Sequence, residues 1–255
     1  MNATINLYCS DSQVMNDSID RIIVELHANK KKYGSKSLLM SGCGSKSGST
    51  TIAINLAIAL SMSGWKTLLL DCDLRKGIKF KRLNQKTDMG LSEYLSMEID
   101  KEKVIYKTNY ELLDYIPSGT VSNSPIRLFC SSKMEGFLQE VEKEYDYIIF
   151  DFPSLNIVPD ANILFPYVDG IILVAALEQT TKRQLKDAIS KIEEYQNKYY
   201  GLIVNHVEMS QYKKYMKDYD YFGQMNMSKR YLANINNKIK RIKGDTYETK
   251  DIHSS

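Results

Sequence analysis

The chain has 255 residues, 34 basic and 31 acidic side chains, and a formal net charge of +3. So small a charge gives no reason to expect nucleic acid or an anionic lipid surface as a partner, and we expect no nucleic acid. Apolar residues make up 43% of the chain and charged residues 25%, as in globular proteins that fold in water. No apolar run approaches the ~20 residues that span a bilayer, and residues 1–16 lack the basic start and apolar centre of a signal peptide. These features predict a cytoplasmic protein.

The residues that most often bind metals are scattered along the chain. No two cysteines have the C-x-x-C spacing of a zinc site, and the three histidines lie far apart in sequence. Reduced structural thiols and solvated histidines are therefore expected. The residues are Cys9, Cys43, Cys72, Cys130, His27, His206 and His253.

Predicted elements begin with a polar helix over residues 17–32, which carries isoleucine and leucine on one side. From residue 36 to residue 205, short apolar runs alternate with amphipathic stretches, a pattern typical of βαβ units. The predicted strands are 37–41, 66–70, 112–116, 147–150, 170–175 and 201–204. The predicted helices are 50–63, 133–144 and 180–197.

This pattern predicts an α/β fold, a P-loop NTPase with a mostly parallel central sheet flanked by helices in a single domain. Residues 1–35 are interpreted as an N-terminal polar helix and extension, and residues 36–205 as the domain itself. Residues 206–255 are interpreted as a C-terminal segment rich in tyrosine and lysine. No internal repeat or Gly/Ser linker indicates a second domain.

A loop of small residues joins the first predicted strand of the domain to its helix. Such a loop can wrap closely around phosphate, while the amides at the helix start point at the anion. The pattern G-x-x-x-x-G-K-[ST] is not satisfied, because Cys43 stands at the first glycine and Ser49 at the lysine. In isolation the loop is compatible with a purely structural turn. The candidate nucleotide-binding residues here are Gly44, Lys46, Gly48, Ser49, Thr50 and Thr51.

Three acids follow predicted strands. Asp71 and Asp73 come at the end of the run 68–70, and Asp151 follows 147–150. Ligands of open α/β sheets bind at the carboxyl ends of the strands, and carboxylates placed there suit Mg²⁺. Each acid alone is compatible with a helix cap, whereas the three together with the loop favour a nucleotide site.

The order of these motifs resembles the bacterial tyrosine kinases of capsule and exopolysaccharide systems, the CpsD/CapB type. The most specific similarity is the sequence Leu-Leu-Leu-Asp-Cys-Asp-Leu-Arg at 68–75, which matches that family's second Walker-like motif. Further matches lie at 116–119, 124–134, 145–153, 168–174 and 201–205.

The resemblance implies ATP and Mg²⁺ as cofactors and a role for each matching residue. Asp71 and Asp73 would serve as catalytic base and metal ligand, and Asp151 as a second acid associated with Mg²⁺. Thr50 would supply the hydroxyl of the phosphate loop. Asn205 would lie near the adenine.

Ser49 leaves the family's lysine position without a cation, and Lys46, three residues upstream, is the candidate substitute.

Three hypotheses follow. The first is an ATP-dependent protein tyrosine kinase, and the second is a pseudokinase or regulatory module of the polysaccharide export machinery. The third is a MinD- or ParA-like ATPase, which is disfavoured by Arg75 and by Gly44 at the approximate place of that group's signature lysine.

The two ends of the chain depart from the family pattern. Residues 21–27 do not show its Glu-x-x-Arg-x-x-Arg oligomerisation pattern, and the C-terminal tyrosine cluster is spread out. Candidate phosphoacceptors are Tyr212, Tyr215, Tyr219 and Tyr221. The resemblance implies a membrane-anchored chain-length regulator as activating partner, a homo-oligomer, and a peripheral location at the membrane through that partner.

Overall fold

The computed structural model describes residues 4–10, 12–75, 89–157, 161–208 and 210–212. Residues up to His206 form one compact unit, and residues from Val207 onward belong to a second. In the second unit, the amide of Tyr212 donates to the Glu208 carbonyl at 2.8 Å, which begins a helical turn.

Among the described residues, the sheet of the first unit has seven strands. They are β1 (Ser37–Gly42), β2 (Thr67–Asp71), β3 (Tyr106–Lys107), β4 (Leu113–Ile116), β5 (Tyr147–Phe152), β6 (Gly170–Ala176) and β7 (Tyr199–Asn205), in the spatial order β3-β4-β2-β5-β1-β6-β7. All neighbours are parallel except β3 and β4. This arrangement confirms the predicted fold class. The six predicted strands form with ends shifted by one or two residues, and only the short β3 was not predicted.

In the part of the chain that the structure describes, six α-helices surround the sheet. They are α1 (Gln13–Tyr33), α2 (Ser49–Met62), α3 (Leu91–Ser96), α4 (Pro125–Phe129), α5 (Ser132–Glu144) and α6 (Lys182–Lys191). Short 3-10 helices cover Lys101–Lys103, Ala161–Ile163, Phe165–Tyr167 and Glu193–Lys198. No helix in the described ranges is both long and apolar enough to cross a membrane.

Two apolar layers lie on opposite faces of the sheet. Alternate residues of β1 point to opposite faces, so Leu38 and Met40 belong to the layer that includes α1 and α2, and Leu39 belongs to the other. The second layer includes side chains of α3 and α5, among them Leu91 and Phe137. The sheet is therefore covered on both sides, as parallel sheets require.

The helix predicted at 180–197 is wrong as a single element. A Thr181 N-cap starts α6, where the Thr181 hydroxyl accepts from the Gln184 amide, but the α-helix ends at Lys191. A 3-10 stretch follows, with a kink at Tyr195, where φ is −118°. The Tyr195 ring packs against Phe165, with ring centroids 5.4 Å apart, so this tertiary contact accompanies the break in the helix.

Candidate functional site

The loop after β1 is held on both sides by neighbouring strands and loops. The Cys43 amide donates to the Val174 carbonyl at 2.8 Å, and the Leu155 amide donates to the Gly42 carbonyl at 3.1 Å. No side chain caps the first turn of α2, whose N-cap residue is Gly48. The amides of that turn are thus oriented for an anion, which is how a phosphate-binding loop works.

Two glycines make the close turn of this loop feasible. A Cβ atom on Gly42 would lie 2.2 Å from Ser47 Oγ, and one on Gly48 would lie 2.2 Å from Asn205 Nδ2. Gly48 also has φ of 85°, in the left-handed region. Lys46 has φ of 59° without being glycine, which is uncommon. The backbone thus follows a phosphate-loop path even though the sequence lacks the full motif.

Three carboxylates lie at the carboxyl edge of the sheet beside this loop. Asp71 and Asp151 pair in register on the neighbouring strands β2 and β5, and the Cys72 amide donates to the Asp151 carbonyl at 2.9 Å. Asp73 follows, and its amide donates to Asp71 Oδ1 at 3.0 Å. Sheet register therefore brings together acids that are 80 residues apart in sequence.

The loop and the acids line one cleft of about 310 Å³. Of the predicted site residues, those that line it are Gly44, Lys46, Gly48, Ser49, Thr50, Asp71, Asp73 and Asp151. Thr51 does not line the cleft. Asn205 adjoins it, because its Nδ2 donates to the Ser47 carbonyl at 2.9 Å.

Burial raises the pKa of the Asp71 carboxyl, and the nearby charge of Asp73 adds to this effect, against the hydrogen bond from the Asp73 amide. A carboxyl with a raised pKa is a better proton acceptor than an exposed one. Burial also raises the pKa of the Cys43 thiol to about 11, so this cysteine stays protonated at neutral pH. Cys43 therefore has the chemistry of a buried structural residue.

Sequence reasoning missed Ser154. This residue lines the cleft, is 8% exposed, and its hydroxyl has no hydrogen-bond partner among the residues that the structure describes. Its backbone is fixed, because Ser41 Oγ donates to the Pro153 carbonyl at 2.7 Å and the Ile157 amide donates to the Ser154 carbonyl at 2.9 Å. An unpaired buried hydroxyl beside an anion site indicates a place for a polar ligand. Its position three residues after Asp151 was the available signal.

The acids do not form a preassembled metal centre. Across the described ranges, no group of three His, Cys, Asp or Glu side chains is arranged to hold a metal ion. Mg²⁺ is commonly bound by one or two carboxylates together with phosphate oxygens and water. The donor set of Asp73, Asp151 and the Thr50 hydroxyl fits an ion that arrives with a nucleotide.

The candidate phosphoacceptors are less well defined. Tyr212 is the last residue of the described ranges and is half-buried. Tyr215, Tyr219 and Tyr221 lie outside the described residues, so their use as phosphoacceptors stays a prediction.

Comparison with known proteins shows the same family that the motifs indicate. A family model described as an AAA domain matches residues 42–203, well over half of the chain. The tyrosine-protein kinase CpsD of Streptococcus pneumoniae is 34% identical over 166 residues, which cover 64% of this chain and 72% of that protein. The tyrosine-protein kinase YwqD of Bacillus subtilis is 31% identical over 188 residues, covering 74% of this chain and 78% of that protein.

Coverage is not uniform among the relatives. A Klebsiella pneumoniae protein of the cps region is 31% identical over 78% of this chain, yet the match spans only 28% of that protein. The chain thus spans about a quarter of the length of that relative.

Solved structures agree with the sequence comparison. The chimerical protein CapA2B2 is 26% identical with a TM-score of 0.71, over 77% of this chain and 86% of that one. The kinase domain of the Escherichia coli tyrosine kinase Etk is 25% identical with a TM-score of 0.69, over 76% and 77% of the two chains. MinD of Pyrococcus horikoshii, complexed with Mg-ADP, is 20% identical with a TM-score of 0.54 and shares the fold. The chain belongs to the bacterial capsule-type tyrosine-protein kinase family, and residues 42–203 are its AAA-type P-loop domain.

Proposed function

We propose that the chain binds ATP with Mg²⁺ in this cleft and phosphorylates tyrosine in the assembly of capsular or extracellular polysaccharide. The observation that supports this most directly is the in-register pair of Asp71 and Asp151, which lies in one cleft with the phosphate loop. The loop has the geometry to bind the phosphates, and the acids have the chemistry to bind the metal and accept a proton.

In the proposed reaction, the hydroxyl of a tyrosine attacks the γ-phosphorus of ATP. The bond from that phosphorus to the β–γ bridging oxygen breaks, and ADP leaves with the bonding electrons. The carboxylate of Asp71 accepts the phenolic proton, while Asp73, Asp151 and the Thr50 hydroxyl would hold Mg²⁺. When bound, the ion offsets negative charge on the phosphates.

The proposed partners follow from the family. A membrane-anchored chain-length regulator would activate the chain through its cytoplasmic tail and keep it peripherally at the membrane, and other copies of the chain would present their tyrosines. The spread tyrosines at Tyr212, Tyr215, Tyr219 and Tyr221 are the proposed acceptors.

The test measures phosphotyrosine by mass spectrometry after the purified chain, Mg²⁺-ATP and the activator's cytoplasmic tail are mixed. We expect Asp71→Asn to lower phosphotyrosine at least about a hundredfold, because a general base contributes on the order of 10² to 10⁴ in rate. Titration calorimetry should show ATP affinity within about threefold of wild type, since one hydrogen bond at most changes. Asp187→Asn is the matched control, because Asp187 lies on α6 with 54% of its side chain exposed. Full activity of Asp71→Asn would contradict the proposed mechanism.

Ser49 favours a second candidate function, a regulatory module that binds nucleotide but transfers phosphate poorly. A charge-assisted hydrogen bond contributes about 1.5 to 3 kcal/mol, so the missing lysine would weaken ATP binding about ten- to a hundredfold. Its effect on phosphoryl transfer would be larger, because charge grows toward the transition state.

Ser49→Lys separates the two candidates when it is compared with Lys46→Ala. If the chain is a regulatory module, Ser49→Lys raises ATP affinity and Lys46→Ala changes little. If Lys46 substitutes for the missing cation in an active kinase, Lys46→Ala lowers both ATP affinity and phosphotyrosine.

A further inference from the structure

His206 lies where β7 ends and has the backbone conformation of a specialised turn. Its φ is 59°, in the left-handed region that residues other than glycine seldom adopt. The preceding residue, Asn205, is anchored to the phosphate loop through the Ser47 carbonyl. The position of the His206 imidazole is therefore set by a short, fixed segment.

A neighbouring side chain determines which ring nitrogen of His206 carries the proton. Gln179 Nε2 lies 3.4 Å from His206 Nδ1. With the Gln179 amide oriented so that its nitrogen faces the ring, Nδ1 accepts and the proton of the neutral ring is on Nε2. Nε2 is consequently a hydrogen-bond donor, and no residue within the described ranges is paired with it.

The donor nitrogen faces the start of α2. His206 Nε2 lies 3.6 Å from the point that a Cβ atom on Gly48 would occupy, and Gly48 lines the cleft. The amides of the first turn of α2 are donors as well, so this corner of the cleft presents several donors to one region. A ligand that is rich in acceptor atoms suits such a corner.

Sheet order indicates which half of a nucleotide reaches His206. The acids follow β2 and β5, which lie on one side of β1, whereas His206 follows β7, two strands away on the other side. The acids are placed for the metal and the terminal phosphates. A nucleotide that crosses the end of β1 would bring its nucleoside half toward β7.

We propose that His206 is a nucleotide-binding residue whose Nε2–H donates a hydrogen bond to the nucleoside half of the bound nucleotide. This inference rests on the proposed nucleotide binding. Gln179 is the positioning residue, because its amide selects the required tautomer.

The experiment measures the Kd of ATP and of ADP with Mg²⁺ by titration calorimetry on the full chain. His206→Gly removes the ring and accepts the left-handed backbone, and His206→Asn also removes the ring while tolerating that backbone. We expect both variants to bind ATP and ADP about three- to tenfold more weakly, the loss of one hydrogen bond. His27→Asn is the control for the chemical change, since His27 lies on α1 and packs against Trp65.

Nuclear magnetic resonance supplies a second readout. The sequence has three histidines, so the His206 signals are identified by their absence in His206→Asn. We expect Nε2–H to be the neutral tautomer, Gln179→Ala to lower its population, and ADP to shift the His206 Nε2 resonance.

The outcomes distinguish this inference from the function on which it rests. If wild type binds neither nucleotide, the proposed function fails and the inference fails with it. If wild type binds and both His206 variants bind equally well, only the inference is overturned. If the His206 variants bind ATP more weakly but bind ADP as tightly as wild type, the contact is with the γ-phosphate, and the assignment to the nucleoside half is overturned.

Discussion

Gly48 joins the phosphate loop to α2, and two separate constraints act on it. Its φ is 85°, and a Cβ atom there would lie 2.2 Å from Asn205 Nδ2. Gly64 has a similar φ of 89°, but a Cβ atom would meet nothing within 4 Å. A comparison of the two glycines therefore separates the cost of the left-handed backbone from the cost of placing a side chain at residue 48.

We expect Gly64→Ala to lower the free energy of unfolding by about 1 kcal/mol, the cost of the left-handed backbone. Gly48→Ala should cost about 1 kcal/mol more and weaken nucleotide binding, because Asn205 Nδ2 must move away and lose its hydrogen bond to the Ser47 carbonyl. Urea unfolding and ATP titration check both variants. Equal stability of the two variants would show that the loop accommodates a side chain at residue 48.

Ser154 and Ser41 form a matched pair of serines beside the same cleft. The Ser154 hydroxyl is buried without a partner in the described part of the chain, whereas Ser41 Oγ donates to the Pro153 carbonyl at 2.7 Å. Without ligand, Ser154→Ala should raise the free energy of unfolding by about 1 kcal/mol, since an unsatisfied group is removed. Ser41→Ala should lower it by a similar amount. Thermal unfolding measures both, and a loss of stability in Ser154→Ala would contradict the interpretation of an unpaired hydroxyl.

At the scale of elements, Glu93 connects α3 to the loop after β4. Its carboxylate accepts hydrogen bonds from the Gly90 amide at 2.7 Å, from Ser92 Oγ at 3.0 Å and from the Thr120 amide at 3.0 Å. The same loop is bonded to α3 through its backbone, because the Ser92 amide donates to the Ser118 carbonyl at 3.0 Å. This loop follows β4 directly, and β4 pairs with β2, the strand that ends at Asp71, so α3 is connected to the acid edge of the cleft.

Glu93 gives this connection a pH dependence. Burial raises the pKa of its carboxyl, but the hydrogen bonds from Thr120, Gly90 and Ser92 outweigh burial and hold the pKa below its usual value. Because the pKa of Glu93 is lower in the folded state, its charge stabilises the fold at pH values above the pKa of the unfolded chain, ~4.3. This contribution is lost as the pH falls through the pKa of the folded state.

We therefore expect Glu93→Gln to lower the free energy of unfolding by about 2 kcal/mol at pH 7, because charge-assisted hydrogen bonds are lost. The difference from wild type should shrink as the pH falls below ~4.3. Urea unfolding at a series of pH values provides the measurement. A difference that stays constant with pH would show that the charge of Glu93 does not contribute.

For the whole molecule, the compact unit that ends at His206 contains the cleft and all seven strands. We propose that residues 1–206 fold without the segment after them, including the N-terminal helix α1, which buries Ile19 and Leu26 in the same apolar layer as α2. A chain of residues 1–206 should unfold cooperatively with a midpoint within about 4 °C of the full chain, equivalent to about 1 kcal/mol at this size. Calorimetry of both chains checks this, and a non-cooperative transition would contradict it.

Local sequence patterns predicted the strands and the place of the cleft. Apolar runs such as 147–150 contain too many branched and aromatic side chains for a surface helix, so they predict buried parallel strands. Once the strands are parallel, their carboxyl ends share one edge, and Asp71 and Asp151 must lie there. The short elements α3, α4 and β3 were not predicted, because six residues or fewer carry too little periodicity.

Other features depend on contacts between segments that are distant in sequence, and local patterns did not predict them. The break after α6 accompanies the packing of Tyr195 on Phe165, and the orientation of His206 depends on Gln179 and Gly48. The unpaired hydroxyl of Ser154 is visible only when its surroundings are known. Periodicity and motifs predict which segments form helices and strands along the chain. The partners of each side chain depend on packing across the sheet, and no local pattern predicts that packing.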